Sequence, residues 1–318
     1  GICDGDLVVT TPAELSALSI CESIAGSLTI EGLVGGPSDL SSLSQLVTLG
    51  SSLNIRNNSA LATLAGLDAL HSVGGSIIVQ NNAALQSVAA LGGVSTIDGD
   101  LNLTENPIIE DLGGPFSLTR VGGNIEFTEN NSLLSIDGFD LLTEVAGGLF
   151  VDSNDDLVSV NGFSSLLQIG GGLSILYNPA IEGFDSLNGV TSIGGDLLIE
   201  GNLQLQDING LLSLLSVPGA VRIQDNISLL QLDGLTSLQS VGGEFKLEDN
   251  ISMVDVDGLA SLSSIGGSLD ITDNIALVDI DGLGTLSYLG GNLVVHQNDP
   301  LANIDGLSGL SQLVGLAS

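Results

Sequence analysis

Apolar and polar positions along the chain follow one pattern that repeats every 24 residues. Each repeat is numbered so that a recurring asparagine falls at position 17, which gives eleven complete repeats between Ser42 and Asp305. Apolar residues then occupy positions 2, 5, 8, 12, 14, 20 and 23 in nearly every repeat, and Pro115 at position 2 is the clear exception. A fixed period of this length is typical of a solenoid, in which each unit buries its apolar face against its neighbours.

The middle of each repeat predicts a β-strand with one buried face, because positions 12 and 14 alternate with polar positions 11, 13 and 15. In one repeat Leu269 and Ile271 are expected to point inward. Ser268, Asp270 and Thr272 are expected to point outward. Position 10 is glycine in ten of the eleven repeats, which predicts a tight corner before the strand. A unit this short cannot hold a strand, a full helix and two loops, so we expect an all-β, single-stranded parallel solenoid with coils about 4.8 Å apart.

The asparagine at position 17 follows the strand, where the chain must turn. An inward asparagine there can bond to the backbone of its own corner and to the asparagine of the next coil, since buried amides need partners. We therefore interpret the column as a structural ladder; the alternative is a row of ligand-binding amides. The column comprises Asn58, Asn82, Asn106, Asn130, Asn154, Asn178, Asn202, Asn226, Asn250, Asn274 and Asn298.

The two ends of the chain depart from the repeat. Residues 1–41 are predicted to form an N-terminal cap and an irregular first coil, residues 42–305 the regular coils, and residues 306–318 an incomplete terminal coil. Thr11 and Glu14 have the spacing of a helix capping box around a proline, which predicts a short helix over residues 13–18.

Net charge narrows the range of partners. The formal charge is −34, and the basic residues are Arg56, Arg120, Arg222 and Lys246. Nucleic acid is excluded as a partner, because phosphate binding needs clustered Lys and Arg, and an anionic membrane is disfavoured for the same reason. A divalent cation, a salty medium or a basic partner fits the charge better. The alternative is that the charge serves only solubility.

Cysteine usage and hydropathy indicate an extracellular protein. Cys3 and Cys21 are the two cysteines of the chain, and we predict a disulfide between them, which implies an oxidising compartment. Zinc and iron–sulfur sites built on cysteine are thereby excluded. No apolar run is long enough for a transmembrane helix, so direct membrane insertion is not expected. No signal peptide is visible, as expected of a mature secreted chain.

The repeat pattern L-x-x-L-x-x-I-G-G-x-L-x-I-x-x-N-x-x-L-x-x-I-D resembles the receptor L-domain class of leucine-rich solenoids, which includes bacterial and fungal surface proteins. The segment from Cys3 to Cys21 looks like the N-terminal cap of that class. The resemblance covers almost the whole chain and implies a right-handed solenoid on the outside of a cell. The hormone-binding role of the animal receptors is not carried over, because this chain has more coils and no cysteine-rich module.

Catalytic chemistry has little support in the sequence. His71 and His296 lie nine coils apart, so they cannot share a hydrolytic triad. Arg222 and Lys246 both fall at position 13 of adjacent coils, with Asp270 next in the column. We interpret them as a surface salt-bridge ladder rather than a polysaccharide-cleaving site. No enzyme activity and no organic cofactor are predicted.

The best metal candidate is a group of aspartates at positions 22 and 24 of neighbouring coils: Asp255, Asp257, Asp279 and Asp281. Stacked coils would bring these carboxylates together, and oxygen ligands at that density suit Ca²⁺. The alternative is that Asp before Gly marks a turn and caps the amides of the next corner.

Two surfaces of the solenoid are predicted to be apolar. Phe150, Leu176, Tyr177 and Leu198 occupy outward positions of three consecutive coils, and apolar surface of this kind often marks an interface. The incomplete coil is expected to leave an apolar end exposed through Leu307, Leu310, Leu313 and Leu316.

Asn57 and Asn102 are the accessible candidates for N-glycosylation, whereas sequons on the ladder should be blocked.

The predicted function is an extracellular, secreted or cell-surface scaffold that self-associates into filaments or a matrix through its ends or its exposed patch. A heterologous end-to-end contact does not close on itself and produces a filament. The alternative is an adhesion or receptor module that binds an extracellular protein or glycan on the face of the solenoid.

Overall fold

The computed structural model describes residues 1–33, 35–114 and 116–317. Parallel strands stacked coil on coil make up the fold, which confirms the predicted all-β parallel solenoid. The chain divides into two compact units: the first holds Gly1–Leu157 and Asn161–Leu166, and the second holds Val158–Val160 and Leu167–Ser318. Pro115, the exception to the apolar pattern, lies outside the described residues.

In the first unit every coil contributes a long strand to one parallel sheet. Neighbouring strands pair in register at the 24-residue spacing; Leu101, for example, pairs with Ile77 and with Ile125. Leu28 pairs with Leu53 across 25 residues, because the irregular first coil is one residue longer. The long strands are Leu7–Val9, Leu28–Glu31, Leu53–Arg56, Ile77–Gln80, Leu101–Thr104, Ile125–Thr128 and Leu149–Asp152. The short strands are Ile2–Cys3, Ser23–Ile24, Thr48–Leu49, Ser72–Val73, Thr96–Ile97, Arg120–Val121, Ser135–Ile136 and Glu144–Val145.

The second unit repeats the arrangement with an unbroken 24-residue register, as in the pairing of Arg222 with Lys246 and of Lys246 with Asp270. Its long strands are Leu173–Leu176, Leu197–Glu200, Val221–Gln224, Phe245–Glu248, Leu269–Thr272 and Leu293–His296. Its short strands are Ser159–Val160, Gln168–Ile169, Ser192–Ile193, Ser216–Val217, Ser240–Val241, Ser264–Ile265, Tyr288–Leu289 and Gln312–Leu313.

A loop completes each coil between its long strand and the following short strand, and in many coils this loop contains a 3₁₀ turn. The 3₁₀ turns of the first unit are Leu18–Ile20, Ser41–Leu43 and Ala89–Leu91. Those of the second unit are Asp185–Gly189, Asn209–Leu211, Asp233–Leu235, Asp257–Leu259, Asp281–Leu283 and Asp305–Leu307. The loop side of the coil is therefore a third face, distinct from the faces formed by the long and the short strands.

The apolar columns fill the interior of each coil with aliphatic side chains. Leu269 and Ile271 are fully buried. Ser268, which precedes the strand, and Asp270 and Thr272 on it are half-buried with their side chains outside the core. This is the alternation that the sequence predicts for a strand with one buried face.

The asparagine column is a buried ladder in both units. Along the column, backbone N–H groups donate to the side-chain Oδ1 of the asparagine one coil further on, as from Asn202 to Asn226 at 3.2 Å. The side-chain Nδ2 reaches the other way, and that of Asn226 donates to the carbonyl oxygen of Ile199 in the preceding coil at 2.9 Å. The side-chain oxygen and nitrogen atoms are thus already hydrogen-bonded to the backbone. This supports a structural role for the column over a row of ligand-binding amides.

The residue before each ladder asparagine has a left-handed backbone. Ten non-glycine residues take positive φ there, among them Asn57 at 59° and Tyr177 at 52°. Gly201 occupies the same place in its coil with φ of 70°. This conformation turns the chain so that the following asparagine points into the core, and it is costly for residues with a Cβ.

The N-terminal cap forms as predicted but with a shifted helix. The α-helix is Pro12–Ala17, one residue earlier at each end than expected, and a 3₁₀ turn follows it. The capping box is present, because the Thr11 hydroxyl accepts from the Glu14 amide at 3.3 Å and the Glu14 carboxylate accepts from the Thr11 amide at 3.0 Å. Cys3 and Cys21 form the predicted disulfide.

Candidate binding surfaces

The predicted calcium ligands serve the backbone instead of a metal. Asp255 Oδ1 accepts from the amide of Asp257 at 3.1 Å, and Asp279 Oδ1 accepts from the amide of Asp281 at 3.2 Å. The capping residue is therefore the one at position 22, not the one at position 24. Across the described residues, no three or more His, Cys, Asp or Glu side chains are grouped to hold a metal ion. The four aspartates thus start 3₁₀ turns and do not form the expected ligand cluster.

These aspartates still influence one another electrostatically. Burial raises the pKa of the Asp257 carboxyl, and the charges of Asp255, Asp279, Asp281 and Asp233 raise it further. The turn column is consequently a row of carboxylates whose repulsion is not relieved by a nearby basic side chain.

The basic residues of the second unit lie on the long-strand face and are paired. The Arg222 guanidinium forms a salt bridge with Glu244, and the Lys246 ammonium forms one with Glu248. The hydrogen bond to Glu248 raises the pKa of Lys246. Both ion pairs are partly exposed, so they contribute little stability and match the predicted salt-bridge ladder.

The predicted apolar patch is split between the two units and is less exposed than expected. Phe150 belongs to the first unit and is half-buried. Leu176 and Leu198 belong to the second unit and are also half-buried, whereas Tyr177 is 49% exposed. The Tyr177 hydroxyl donates to the Glu200 carboxylate, and its ring lies against Gly201. The most exposed side chain of this patch, Tyr177, is therefore held by contacts within the second unit.

The last coil exposes two of the four apolar residues predicted for it. Leu313 and Leu316 are exposed, by 38% and 78%, and Leu310 is half-buried. Leu307 was expected to be exposed, but only 8% of its surface is exposed. It lies in the 3₁₀ turn that stacks on the turn of the preceding coil. The amide of Leu316 donates to Asn292 Oδ1 at 3.0 Å, which attaches this segment to the coil before it.

The two sequons differ in accessibility. Asn57 is exposed, and its Oδ1 accepts from Asn81 Nδ2 at 2.8 Å. Asn102 is half-buried, and its Oδ1 is enclosed without a hydrogen-bond partner, so it is less accessible than Asn57. The inward sequons of the ladder are buried, as expected.

A larger apolar surface, which the sequence reasoning missed, runs along the loop face of the second unit. We call it the apolar stripe, and it consists of two columns of aliphatic side chains that are 39% to 55% exposed. The column at position 18 is Leu203, Ile227, Ile251 and Ile275. The column at position 21 is Leu230, Val254 and Val278.

Backbone bonds hold the stripe in register. The amide of Val254 donates to the carbonyl of Leu230 at 3.0 Å, and the amide of Val278 donates to the carbonyl of Val254 at 2.9 Å. The stripe is thus a fixed, continuous apolar surface, and soluble proteins rarely expose contiguous surfaces of this kind without an interaction role.

Carboxylates border the stripe on both sides. Position 16, before it, carries Asp225, Asp249 and Asp273. Burial raises the pKa of Asp225, and repulsion from Asp249 raises it further. Burial likewise raises the pKa of Asp249, and repulsion from Asp273 adds to that shift. Positions 22 and 24, after the stripe, carry the turn-capping row described above.

Comparison with protein-family models finds no matching family, and comparison with curated proteins finds no significant relative. Within the described part of the chain, no helix has the length and apolar character needed to cross a membrane.

Proposed function

We propose that this chain is an extracellular, non-enzymatic scaffold that binds another protein through the outward columns of its coils. The observation that carries the proposal is the contrast between inside and outside. The aliphatic core and the asparagine ladder recur coil after coil, whereas the loop face of the second unit exposes an apolar stripe. A regular frame with one distinct surface suits presentation and binding.

Three further observations support the location and the absence of catalysis. The disulfide is the kind of bond that persists in oxidising compartments. The resemblance to receptor L-domain surface proteins favours the same location. The acidic side chains near Asp257 cap turns, and the basic side chains Arg222 and Lys246 are paired with glutamates, so neither group is poised as a general acid, base or nucleophile.

A protein partner fits the stripe better than a glycan does. The seven side chains that define the stripe are all leucine, isoleucine or valine. Burial of such side chains is favourable through the hydrophobic effect, which needs apolar surface on the partner.

Self-assembly into filaments or a matrix is the second candidate, favoured by the exposed side chains of Leu313 and Leu316. Negative-stain microscopy and sedimentation velocity of the purified chain separate the two. The binding role expects a monodisperse monomer up to tens of micromolar. Filaments that disappear in the Leu313→Asp, Leu316→Asp variant, and persist in a Leu212→Asp control, would instead establish self-assembly.

Location has its own test. Antibody labelling of intact cells of the source organism, or of their surrounding medium, is expected to detect the chain without permeabilisation. Labelling that requires permeabilisation would contradict an extracellular role.

A further inference from the structure

The apolar stripe and its acidic borders together specify the chemistry of the partner. A molecule that covers the stripe must remove aliphatic side chains such as Ile251 and Val254 from water. The same molecule must come close to carboxylates on both sides, with Asp249 on one border and Asp255 on the other. An apolar partner without charge would desolvate these carboxylates without compensation, which is unfavourable.

A stripe-to-stripe contact between two copies of this chain does not meet that requirement. Between residues 203 and 281 the basic residues are Arg222 and Lys246. Both are already bonded to glutamates, and Lys246 offsets only part of the rise in the pKa of Asp225 and Asp249. Two stripes facing each other would place aspartate columns against aspartate columns, and the repulsion would oppose the contact.

Spacing indicates the shape of the partner. Stacked coils present apolar side chains at about 4.8 Å intervals, and an α-helix presents one turn about every 5.4 Å. Over the three steps that separate the four coils of the stripe, the mismatch accumulates to only about 2 Å. A helix with two adjacent apolar columns can therefore lie along the two columns of the stripe, with its flanking positions over the aspartates.

We propose that the apolar stripe is a docking site for a cationic amphipathic helix of another protein, whose apolar face covers Ile227, Ile251 and Val254 and whose lysines or arginines pair with the bordering aspartates. The proposal rests on the scaffold role above and names the class of partner. Electrostatic attraction raises the encounter rate, and burial of the aliphatic columns selects helices with the matching apolar face.

The test uses the intact chain and a fluorescein-labelled 18-residue helical peptide of leucine and lysine with two adjacent leucine columns. Its control has the same composition in scrambled order, so that charge is kept and the apolar face is lost. Fluorescence anisotropy is expected to show the amphipathic peptide binding at least tenfold more tightly than the scrambled one. Equal affinities would mean attraction by bulk charge alone and would overturn the proposal.

Variants locate the site. The triple variant Ile227→Thr, Ile251→Thr, Val254→Thr keeps β-branched shapes and is expected to weaken the amphipathic peptide about tenfold. The control variant Leu167→Thr, Leu212→Thr, Leu215→Thr changes side chains that are 42% to 51% exposed elsewhere on the second unit. It is expected to bind within twofold of the wild type. Equal loss in both variants, or loss in neither, would contradict docking on the stripe.

Charge variants and self-association complete the test. Asp249→Asn with Asp273→Asn is expected to weaken peptide binding and to reduce its salt dependence, whereas Asp4→Asn with Glu110→Gln leaves both unchanged. Sedimentation of the wild type that showed a dimer abolished by the stripe variant would assign the stripe to a second copy and overturn the proposal. Extracellular labelling together with stripe-independent peptide binding would reject only the partner class, not the scaffold role.

Discussion

At the scale of single residues, a few positions per coil carry most of the structural information. The ladder asparagine must satisfy backbone groups of two coils at once, and the residue before it must take a left-handed backbone so that the amide points inward. Both requirements recur in every regular coil, which explains why the asparagine never shifts in register although its neighbours vary.

Replacing a mid-ladder asparagine tests this role. Asn226→Ala removes the acceptor for the Asn202 amide and the donor to the Ile199 carbonyl, and leaves both groups buried. We expect the free energy of unfolding in urea to fall by about 2–4 kcal/mol, because unsatisfied buried polar groups are costly. Asn131→Ala changes an exposed side chain and is expected to have little effect. Similar losses in the two variants would contradict the ladder interpretation.

Gly201 tests the left-handed corner. A Cβ at this site would lie 2.5 Å from Cδ1 of the Tyr177 ring, so any substitution moves that ring. Gly201→Asn and Gly201→Val share this contact but differ in their tolerance of positive φ, which Asn57 and Asn81 already adopt. Thermal and urea unfolding are expected to show the valine variant less stable than the asparagine variant by about 1 kcal/mol. Equal stability would show that φ is not what selects the residue.

At the scale of elements, the N-terminal helix depends on its capping box. The backbone hydrogen bond from Thr10 lowers the pKa of Glu14 from its ordinary value of 4.5, and hydrogen bonds from the side chains of Thr11 and Thr10 lower it further. A carboxylate with a lowered pKa in the folded state stabilises the fold above its unfolded pKa, and that contribution is lost as the pH falls through the folded value.

Glu14→Gln should remove this pH dependence. Between pH 6 and about pH 4.5 we expect the helix amides of residues 13–17 to exchange more slowly in the wild type than in the variant. Below that pH the two proteins should converge, because the wild-type carboxyl becomes protonated. Hydrogen exchange measured on both proteins at each pH cancels the intrinsic effect of pH on exchange. A difference that stays constant down to pH 3 would rule out the charged cap.

The structural elements could be predicted from the sequence where the 24-residue repeat or a local motif determines them. Inward positions such as Leu269 and Ile271, the capping box and the disulfide follow from local pattern and spacing. The stripe was missed because its side chains at positions 18 and 21 stand beside the inward positions 20 and 23, so an apolar residue there looks like part of the core pattern. Exposure depends on the path of the loop, and only the structure supplies that path.

The aspartate row was misinterpreted for a related reason. Spacing alone brings Asp255 and Asp279 to neighbouring coils, but it does not say where their oxygens point. The structure turns each toward an amide two residues further on, because the start of a 3₁₀ turn leaves that amide without a backbone partner. The turn-capping alternative predicted this kind of role, but the structure assigns it to Asp255 and Asp279 at position 22 instead of position 24.

At the scale of the whole molecule, charge is the dominant electrostatic fact. A net charge of −34 with four basic residues keeps the chain soluble and opposes compactness through self-repulsion. The repulsion is concentrated in the second unit, where burial and neighbouring carboxylates raise the pKa values of Asp225, Asp249 and Asp257 above their usual range.

Mild acid should therefore stabilise this protein. A carboxyl whose pKa is raised on folding binds protons more tightly in the folded state, so its contribution is fully favourable below its unfolded pKa of 3.8 and is lost as the pH rises through the folded value. We expect the melting temperature to rise as the pH is lowered from 7 toward the unfolded pKa, and added NaCl to raise it at pH 7 by screening the same repulsion. The triple variant Asp225→Asn, Asp249→Asn, Asp257→Asn should show a weaker dependence on both pH and salt. A control that neutralises Asp4, Asp98 and Glu110 removes the same charge from the first unit and should retain more of the dependence. If the two triple variants responded alike, the repulsion would be spread over the whole surface instead of being concentrated around the stripe.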